Sequence, residues 1–562
     1  MAQESSRADC IFHNGKVVTV DGSDSIQQAI AVSGNTIRAV GSNDDVLSLA
    51  GPGARVIDLG GRTMVPGIID THAHMDREGL KGMFPSLAGV SSIQDVLAVV
   101  KREVDRTPPG QWVVTMPIGD PPNFSGVPEK LAEGRYPTRW ELDQVSPDNP
   151  VYIRGIWTAW NVPPSVSVAN SQALKLARID RDTASPDASV IIERDENDEP
   201  TGVFVDANRF PTVEFNLMRV VPRFTHAQRV AALRESMRLY NSVGTTSIYE
   251  GHGIAPEVMD VYKEVWDAGE MNVRSYLVVS PTWKSLGEAE DDMARWGYFA
   301  SGMGFGDDML RVGGYFIQAS SVPYVAETRS AELPYTGWAG FAESHYSSEE
   351  FRELVRMAAR HNLRVNALVG QDADGALDLF EDIHRSTPID GRRWVWIHAR
   401  QLTRPQVVRI RDLGMLMETL PLTELWLRGN RYFDTPHLAD IAVSHRTYLE
   451  EGARYALGTD NKPYNPFATL WAAVVRKERH TGTVLGAGQV LDRLEALRAF
   501  TQFGAYFTFD EHRLGSLERG KLADLAVLSD DLLTMPEDGI PELRSLLTMV
   551  GGRIVHQDED FS

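Results

Sequence analysis

The sequence predicts an α/β protein: a (β/α)8 TIM-like barrel with a small composite β-sandwich domain built from both termini. Three observations predict it. Short alternating apolar strands fill residues 10–58 and return over 524–555, and neither set has enough strands to close a core alone, so one shared sandwich is the simplest arrangement. From Val65 to Gly515, apolar runs of strand length alternate with segments of helical period. Alternation sustained over about 450 residues favours a barrel with insertions over an open sheet.

The elements follow in order. Residues 10–20 and 29–41 read as strands joined by tight turns at Asn14-Gly15 and Gly34-Asn35. One apolar strand is expected from Met64 to Ile69. Further strands are expected at Thr245–Glu250, before a helix near Pro256–Gly269, and at Leu363–Leu368, before a helix over Ala373–His384. Residues 524–528 and 548–555 complete the sandwich around Gly551-Gly552. The expected division is 1–65 and 515–562 for the two parts of the sandwich, with 66–514 as the catalytic barrel and its loop insertions. Pro-rich 117–128 and Trp-rich 157–165 read as long loops above the barrel.

Composition narrows the function classes. Of 562 residues, 43% are hydrophobic and 24% charged, as in ordinary globular proteins. No run approaches the roughly 18 uninterrupted apolar residues of a membrane helix, and the first ten residues lack an apolar signal segment, so a cytoplasmic location is expected. The single cysteine, Cys10, excludes an intrachain disulfide and a cysteine-based zinc site. A net charge of −21 argues against nucleic acid or an anionic membrane as partner; it fits a soluble enzyme acting on a small-molecule substrate and equally any acidic globular protein.

The sharpest chemical signal is Val65-Pro-Gly-Ile-Ile-Asp-Thr-His-Ala-His74. Alternate side chains of an extended chain face the same way, so His72 and His74 can aim at one point in the barrel mouth, half of a Zn2+, Fe2+ or Mn2+ site. A bare His-x-His is more often two solvent-facing rings. Here it follows Pro-Gly at the end of a buried-type strand, and two later segments repeat the form: Trp394-Val-Trp-Ile-His398 and Arg454-Tyr-Ala-Leu-Gly-Thr-Asp460. Three strand ends each deliver a metal-ligand type.

The fragments Asn14-Gly-Lys-Val-Val-Thr-Val20, Val56-Ile-Asp-Leu-Gly-Gly-Arg62 and Pro66-Gly-Ile-Ile-Asp-Thr-His-Ala-His74 resemble the opening of the YtcJ-like branch (amidohydrolase family 3) of the amidohydrolase superfamily. Leu457-Gly-Thr-Asp460, Leu514-Gly-Ser-Leu-Glu-Arg-Gly-Lys-Leu-Ala-Asp524 and Val550-Gly-Gly-Arg-Ile-Val555 resemble its ending. The resemblance spans nearly the whole chain. It implies a metal-dependent hydrolase in which His72, His74, His398 and Asp460 bind metal and Asp460 also moves the proton of the attacking water. It also implies a homodimer, by analogy alone.

The chain departs from the family at three places. Leu310-Arg-Val-Gly-Gly-Tyr-Phe316 puts Phe316 where the bridging lysine belongs. Asn366-Ala-Leu-Val-Gly370 replaces a histidine and an aspartate. Ile397 replaces a glutamate. These losses remove the anion shared by two cations, so one divalent ion per chain is expected, Zn2+ ahead of Fe2+ or Mn2+. Asn366, Glu250, His252 and Gln318 are auxiliary candidates around the mouth, and Arg154 is a candidate for a substrate carboxylate. Trp157, Trp160, Phe124, Tyr335, Trp338, Phe341 and Trp426 are candidates to wall an apolar pocket or to cement loops. The expected reaction is cleavage of a C–N bond in a non-peptide, aromatic or apolar amide. C–C hydrolysis or decarboxylation on the same scaffold is the alternative, and a non-catalytic binding descendant ranks third.

Overall fold

In a computed structural model of the chain, residues 7–559 and 561 are described, apart from 122–123, 125, 156–163, 208–211, 320–345 and 371. The chain forms two compact units. Met1–Met75, Arg234–Pro334 and Phe341–Ser562 make one; Asp76–Leu233 and Tyr335–Gly340 make the other.

The first unit holds the sandwich and the barrel. One sandwich sheet runs Thr36–Gly41, Ala29–Ser33, Ala8–His13, Ala50–Asp58. The other runs Arg553–Gln557, Ser545–Val550, Leu525–Leu528, Thr63–Pro66, Lys16–Val18, Ile26–Gln27. The two ends of the chain meet where Leu525–Leu528 pairs antiparallel with Thr63–Pro66, Ala526 opposite Val65. Phe12, Ile30 and Met64 share one core with Leu525, Val527 and Leu547, which is why neither end suffices alone.

Eight parallel strands form the barrel: β1 (Ile68–Asp70), β2 (Thr245–Ile254), β3 (Arg274–Val279), β4 (Leu310–Gln318), β5 (Val365–Leu368), β6 (Val395–Ile397), β7 (Leu416–Thr419) and β8 (Tyr455–Leu457). Each pairs in parallel with the next. The seam between β8 and β1 is joined by backbone and side chains together; Asp460 N donates to the His72 carbonyl at 2.8 Å. The Thr71 hydroxyl donates to the Leu457 carbonyl at 2.9 Å, and the Asp70 carboxylate accepts from Thr459 N at 3.0 Å and Thr459 Oγ1 at 2.6 Å. Burial pushes the Asp70 carboxyl up to about 6 even against these bonds.

The single strand expected over Met64–Ile69 is two strands. The chain leaves the sandwich at Pro66 and enters the barrel at Ile68. Gly67 between them has no room for a side chain, since a Cβ there would lie within 2.8 Å of Thr246 Cβ. Its amide is spent on the Asp524 carbonyl at 2.9 Å rather than on a continuing ladder. The helices covering the barrel begin as their sequences direct. Pro256 opens Pro256–Asp267, which buries Val258, Val261, Tyr262 and Val265 at helical spacing. Ser347 and Glu350 form a capping box on Ser348–Arg360.

The second unit departs from the loop-insertion reading. It has its own sheet, ordered Val190–Arg194, Pro200–Asp206, Ser165–Ala169, Val151–Ile153, Val113–Thr115. Val96, Val100, Val113, Leu142 and Val151 are in its core. Phe124 packs there with Leu80, Met116 and Phe224 instead of walling a pocket. Trp426, in the first unit, packs against Leu422, Ala468 and Ala472. Trp157, Trp160, Tyr335, Trp338 and Phe341 lie outside the described residues.

Candidate metal centre

Four strand ends converge at the barrel mouth. His72 and His74 follow β1, His252 lies near the end of β2, His398 follows β6, and Asp460 follows β8. All five side chains are buried. His74 Nε2 lies 3.2 Å from Asp460 Oδ1, and His72 Nε2 lies 3.9 Å from the same oxygen. His398 Nε2 lies 3.2 Å from His72 Nε2. The His252 ring centroid is 6.0 Å from His72, 5.8 Å from His74 and 6.0 Å from His398. Two overlapping groups, His72 with His74 and Asp460, and His72 with His252 and His398, each bring donor atoms within 4.8 Å of one another. His72, His74, His398 and Asp460, distant in sequence, are thus brought together, and His252 joins them.

Surrounding polar groups hold this set. Glu418, on β7, places Oε2 3.2 Å from His72 Nδ1 and accepts the His398 backbone N–H at 2.9 Å. A carboxylate there favours the tautomer with its proton on Nδ1, which turns the Nε2 lone pair toward the centre. A Cβ on Gly458 would lie 2.9 Å from Glu418 Oε1, so the glycine lets β8 approach this pair. The Asn461 side chain accepts from His74 N and donates to His74 O, both at 3.0 Å, and also accepts from the Tyr240 hydroxyl. Glu250 accepts from Met75 N at 2.9 Å and the Tyr262 hydroxyl at 2.8 Å, with Oε2 3.7 Å from His74 Nδ1.

The electrostatics are graded across the centre. Burial would raise the Asp460 carboxyl, but Lys462, ion-paired to Oδ2, and the His74 and His72 rings hold it well below its ordinary range. Burial opposes a charge on His72; Glu418, then Asp460 and Asp70, outweigh it and hold the ring above its usual value. Burial, His72 and Arg400 hold His398 well below, so that ring is neutral. Arg400 Nη2 lies 3.2 Å from His398 Nδ1. A guanidinium only donates, so this contact puts the His398 ring proton on Nε2.

The other candidates separate cleanly. Phe316 does occupy the mouth, stacked on His252 with centroids 4.2 Å apart. Asn366 is committed: it accepts from the Tyr249 hydroxyl at 2.7 Å and donates to the Gly251 carbonyl at 2.6 Å. Gln318 ends β4 half-buried. Arg154 is not a receiver of substrate. It lies buried in the second unit, donating to both Glu214 oxygens at 2.8 and 2.9 Å and to the Pro222 carbonyl, between the Phe84 and Phe224 rings. A long cation beside an acidic partner is satisfied internally, a pairing its sequence neighbours do not display.

Glu418, Asn461 and Lys462 escaped the sequence reading. Glu418 had a signal, a lone carboxylate inside the apolar strand Leu416-Met-Glu-Thr419. So had Asp460-Asn-Lys462, a polar run at a buried strand end.

The amidohydrolase family model matches residues 55–556. The chain belongs to the amidohydrolase family. Its enzyme class is that of a metal-dependent hydrolase acting on carbon–nitrogen bonds other than peptide bonds. This amidohydrolase is 29% identical to the N-substituted formamide deformylase of Arthrobacter pascens, over 97% of each chain. It is 24% identical to the putative amidohydrolase YtcJ of Bacillus subtilis (strain 168), over 97% of this chain and 99% of that one. Among solved structures, an uncharacterized metal-dependent hydrolase from Pyrococcus furiosus shares the fold, with a TM-score of 0.65 at 20% identity, covering 93% of this chain and 100% of that one.

Proposed function

We propose that this amidohydrolase uses one divalent ion, Zn2+ before Fe2+ or Mn2+, to hydrolyse the C–N bond of a small N-substituted amide with an aromatic or apolar substituent. The observation that carries the reading is the convergence of His72 Nε2, His74 Nε2 and Asp460 Oδ1 in a buried pocket. Two donors on one tetrahedral ion with bonds of about 2.0–2.1 Å stand roughly 3.3 Å apart, close to the 3.2 Å between His74 and Asp460. The donors are nitrogen and oxygen with no thiolate, a set that suits Zn2+. His72, His74 and Asp460 form the heart of the set, with His252 as a further imidazole in reach.

A single ion is favoured because the position of the bridging lysine holds Phe316, an apolar ring. Phe316 covers His252 with an apolar ring, and the Asn366 amide is already bonded to Tyr249 and Gly251. A divalent ion supplies Lewis acidity, lowering the pKa of water and polarising a carbonyl. Asp460 takes the proton from the attacking water and delivers it to the leaving nitrogen, with Lys462 keeping it ionised beforehand. Glu418 fixes the His72 tautomer. His398, bearing its proton on Nε2 while Arg400 holds Nδ1, is suited to donate to the substrate carbonyl oxygen, in place of the ligand role its position in the family implies. The 29% identity to an N-substituted formamide deformylase supports a small amide as substrate.

Metal analysis of purified protein, combined with a panel of N-substituted formamides and acetamides, tests the reading. About one tightly held ion per chain and metal-dependent amine release are expected. Two ions at full occupancy refute the single-ion part, and a metal-loaded protein that cleaves no amide refutes the reaction.

A further inference from the structure

Phe316, Asn366 and Ile397, each standing where the family has another residue, meet on one short segment of β2. Between Glu250, opposite Leu277, and Ile254, opposite Val279, β2 advances four residues while β3 advances two, so Gly251, His252 and Gly253 bulge out of the ladder. A bulge of this kind re-aims a side chain, and bulges gather beside active sites. Asn366 holds its start: the amide donates to the Gly251 carbonyl at 2.6 Å, while the Tyr249 hydroxyl donates to the amide oxygen at 2.7 Å. Ile397 and His72 close over the same glycine, where a Cβ would lie 3.3 Å from Ile397 Cδ1 and 3.4 Å from His72 Nδ1. Phe316, opposite Asn366 in the ladder between β4 and β5, backs the other end. Its ring stacks on His252 with centroids 4.2 Å and planes 25° apart. Gly253 has a φ of 87°, and a Cβ there would lie 3.0 Å from Phe316 Cβ.

The replacements therefore do more than delete ligands; together they clamp one imidazole at both ends and on one face. That imidazole faces the centre. A donor atom of His252 lies within 4.8 Å of donors on His72 and His398. Its ring centroid stands 6.0 Å from His72 and 5.8 Å from His74. His398 belongs to the same group, but its Nε2 carries the proton because Arg400 faces Nδ1. His252 is left as the imidazole able to join His72, His74 and Asp460. Zinc accepts a fifth donor at catalytic sites, so four protein ligands still leave a place for water.

We propose that His252 is the third imidazole ligand of the ion, and that Asn366 and Phe316 are the residues that position it. The inference rests on the single-ion reading of the centre and names the ligand that completes it.

Zn2+ titration against a chelator, which needs no substrate, tests this on the full chain. His252→Gln should weaken Zn2+ affinity by about 100-fold or more. Asn366→Ala and Phe316→Leu should each weaken it by about 10- to 100-fold, the usual worth of a group that holds a ligand in place. In the His252→Gln background the same two changes should add no further loss, since their effect runs through that ring. Asn366→Ala strips the buried Tyr249 hydroxyl of its acceptor; if that variant does not fold, Phe316→Leu, apolar for apolar, carries the test alone. X-ray absorption at the zinc edge should find one imidazole fewer on the ion in His252→Gln than in the wild type. An equal imidazole count, or unchanged Zn2+ affinity in His252→Gln, overturns the ligand assignment. Equal losses with and without His252 overturn the positioning role of Asn366 and Phe316. If the wild type binds two ions, the single-ion reading fails, and the tighter binding step judges His252 by the same criteria.

Discussion

His398 and Asp460 both hold left-handed backbone, with φ of 52° and 53°. A non-glycine residue pays roughly 1 kcal/mol or more for that region, and such strain gathers where a side chain must be aimed. Here it turns a ring and a carboxylate inward from the ends of β6 and β8. Asp460→Asn should therefore lower kcat by about 10²- to 10⁴-fold, the usual worth of a positioned proton carrier, and should also lower the melting temperature, because buried Lys462 loses its partner. Steady-state kinetics on the metal-loaded variant checks this, and near-normal turnover would remove Asp460 from the proton path. Glu418→Gln should weaken metal affinity by about 10- to 100-fold in competition with a chelator, because the His72 tautomer loses its carboxylate. His72, His74, His398 and Asp460 were legible in the sequence because each ends an apolar run, a signal that is local. His252 was far less so. It sits in Tyr249-Glu-Gly-His-Gly253, where two glycines mask the strand pattern, and only the continuation of β2 to Ile254 carries its ring to the others.

Among the elements, the passage from Thr63–Pro66 into β1 is the most tightly constrained. Gly67→Ala should lower the melting temperature, since overpacking of this kind costs about 1–3 kcal/mol. Thr246→Ala, by removing the two side-chain atoms nearest the new methyl, should recover part of that loss in the double variant. Simple additivity of the two changes would show that the clash is relieved elsewhere. The strand signal over Met64–Ile69 was correct in type but hid this division, because an apolar run does not reveal which sheet each half joins. The helix over Ala373–Ser386 was readable nearly to its ends, since Asp372 caps it and Ala376, Leu377, Phe380 and Ile383 repeat at helical spacing.

At the scale of the first unit, the barrel and the sandwich are riveted by a buried ion pair. Arg274 of β3 donates to both Asp524 oxygens, at 2.8 and 3.0 Å, and Asp524 also accepts Gly551 N at 2.7 Å. Breaking one side of such a pair strands a buried charge and costs about 3–5 kcal/mol. Asp524→Ala should accordingly destabilise more than the double change with Arg274→Met, as read by thermal unfolding; a double variant less stable than the single one would mean the pair itself supplies net stability. The sandwich was legible because its hairpins are local. The five-stranded sheet of the second unit was not. Val113–Thr115 and Val151–Ile153 are three residues each and separated by long connections, too short to show a period.

The seam between β8 and β1 has a further meaning. His72 and His74 stand on one lip of it and Asp460 on the other, stitched by Thr71, Thr459, the Asn461 side chain and the Asp460 amide, which donates to the His72 carbonyl at 2.8 Å. A cation held by both lips would add a further clasp to that join, so loading the enzyme and tightening its scaffold become a single event.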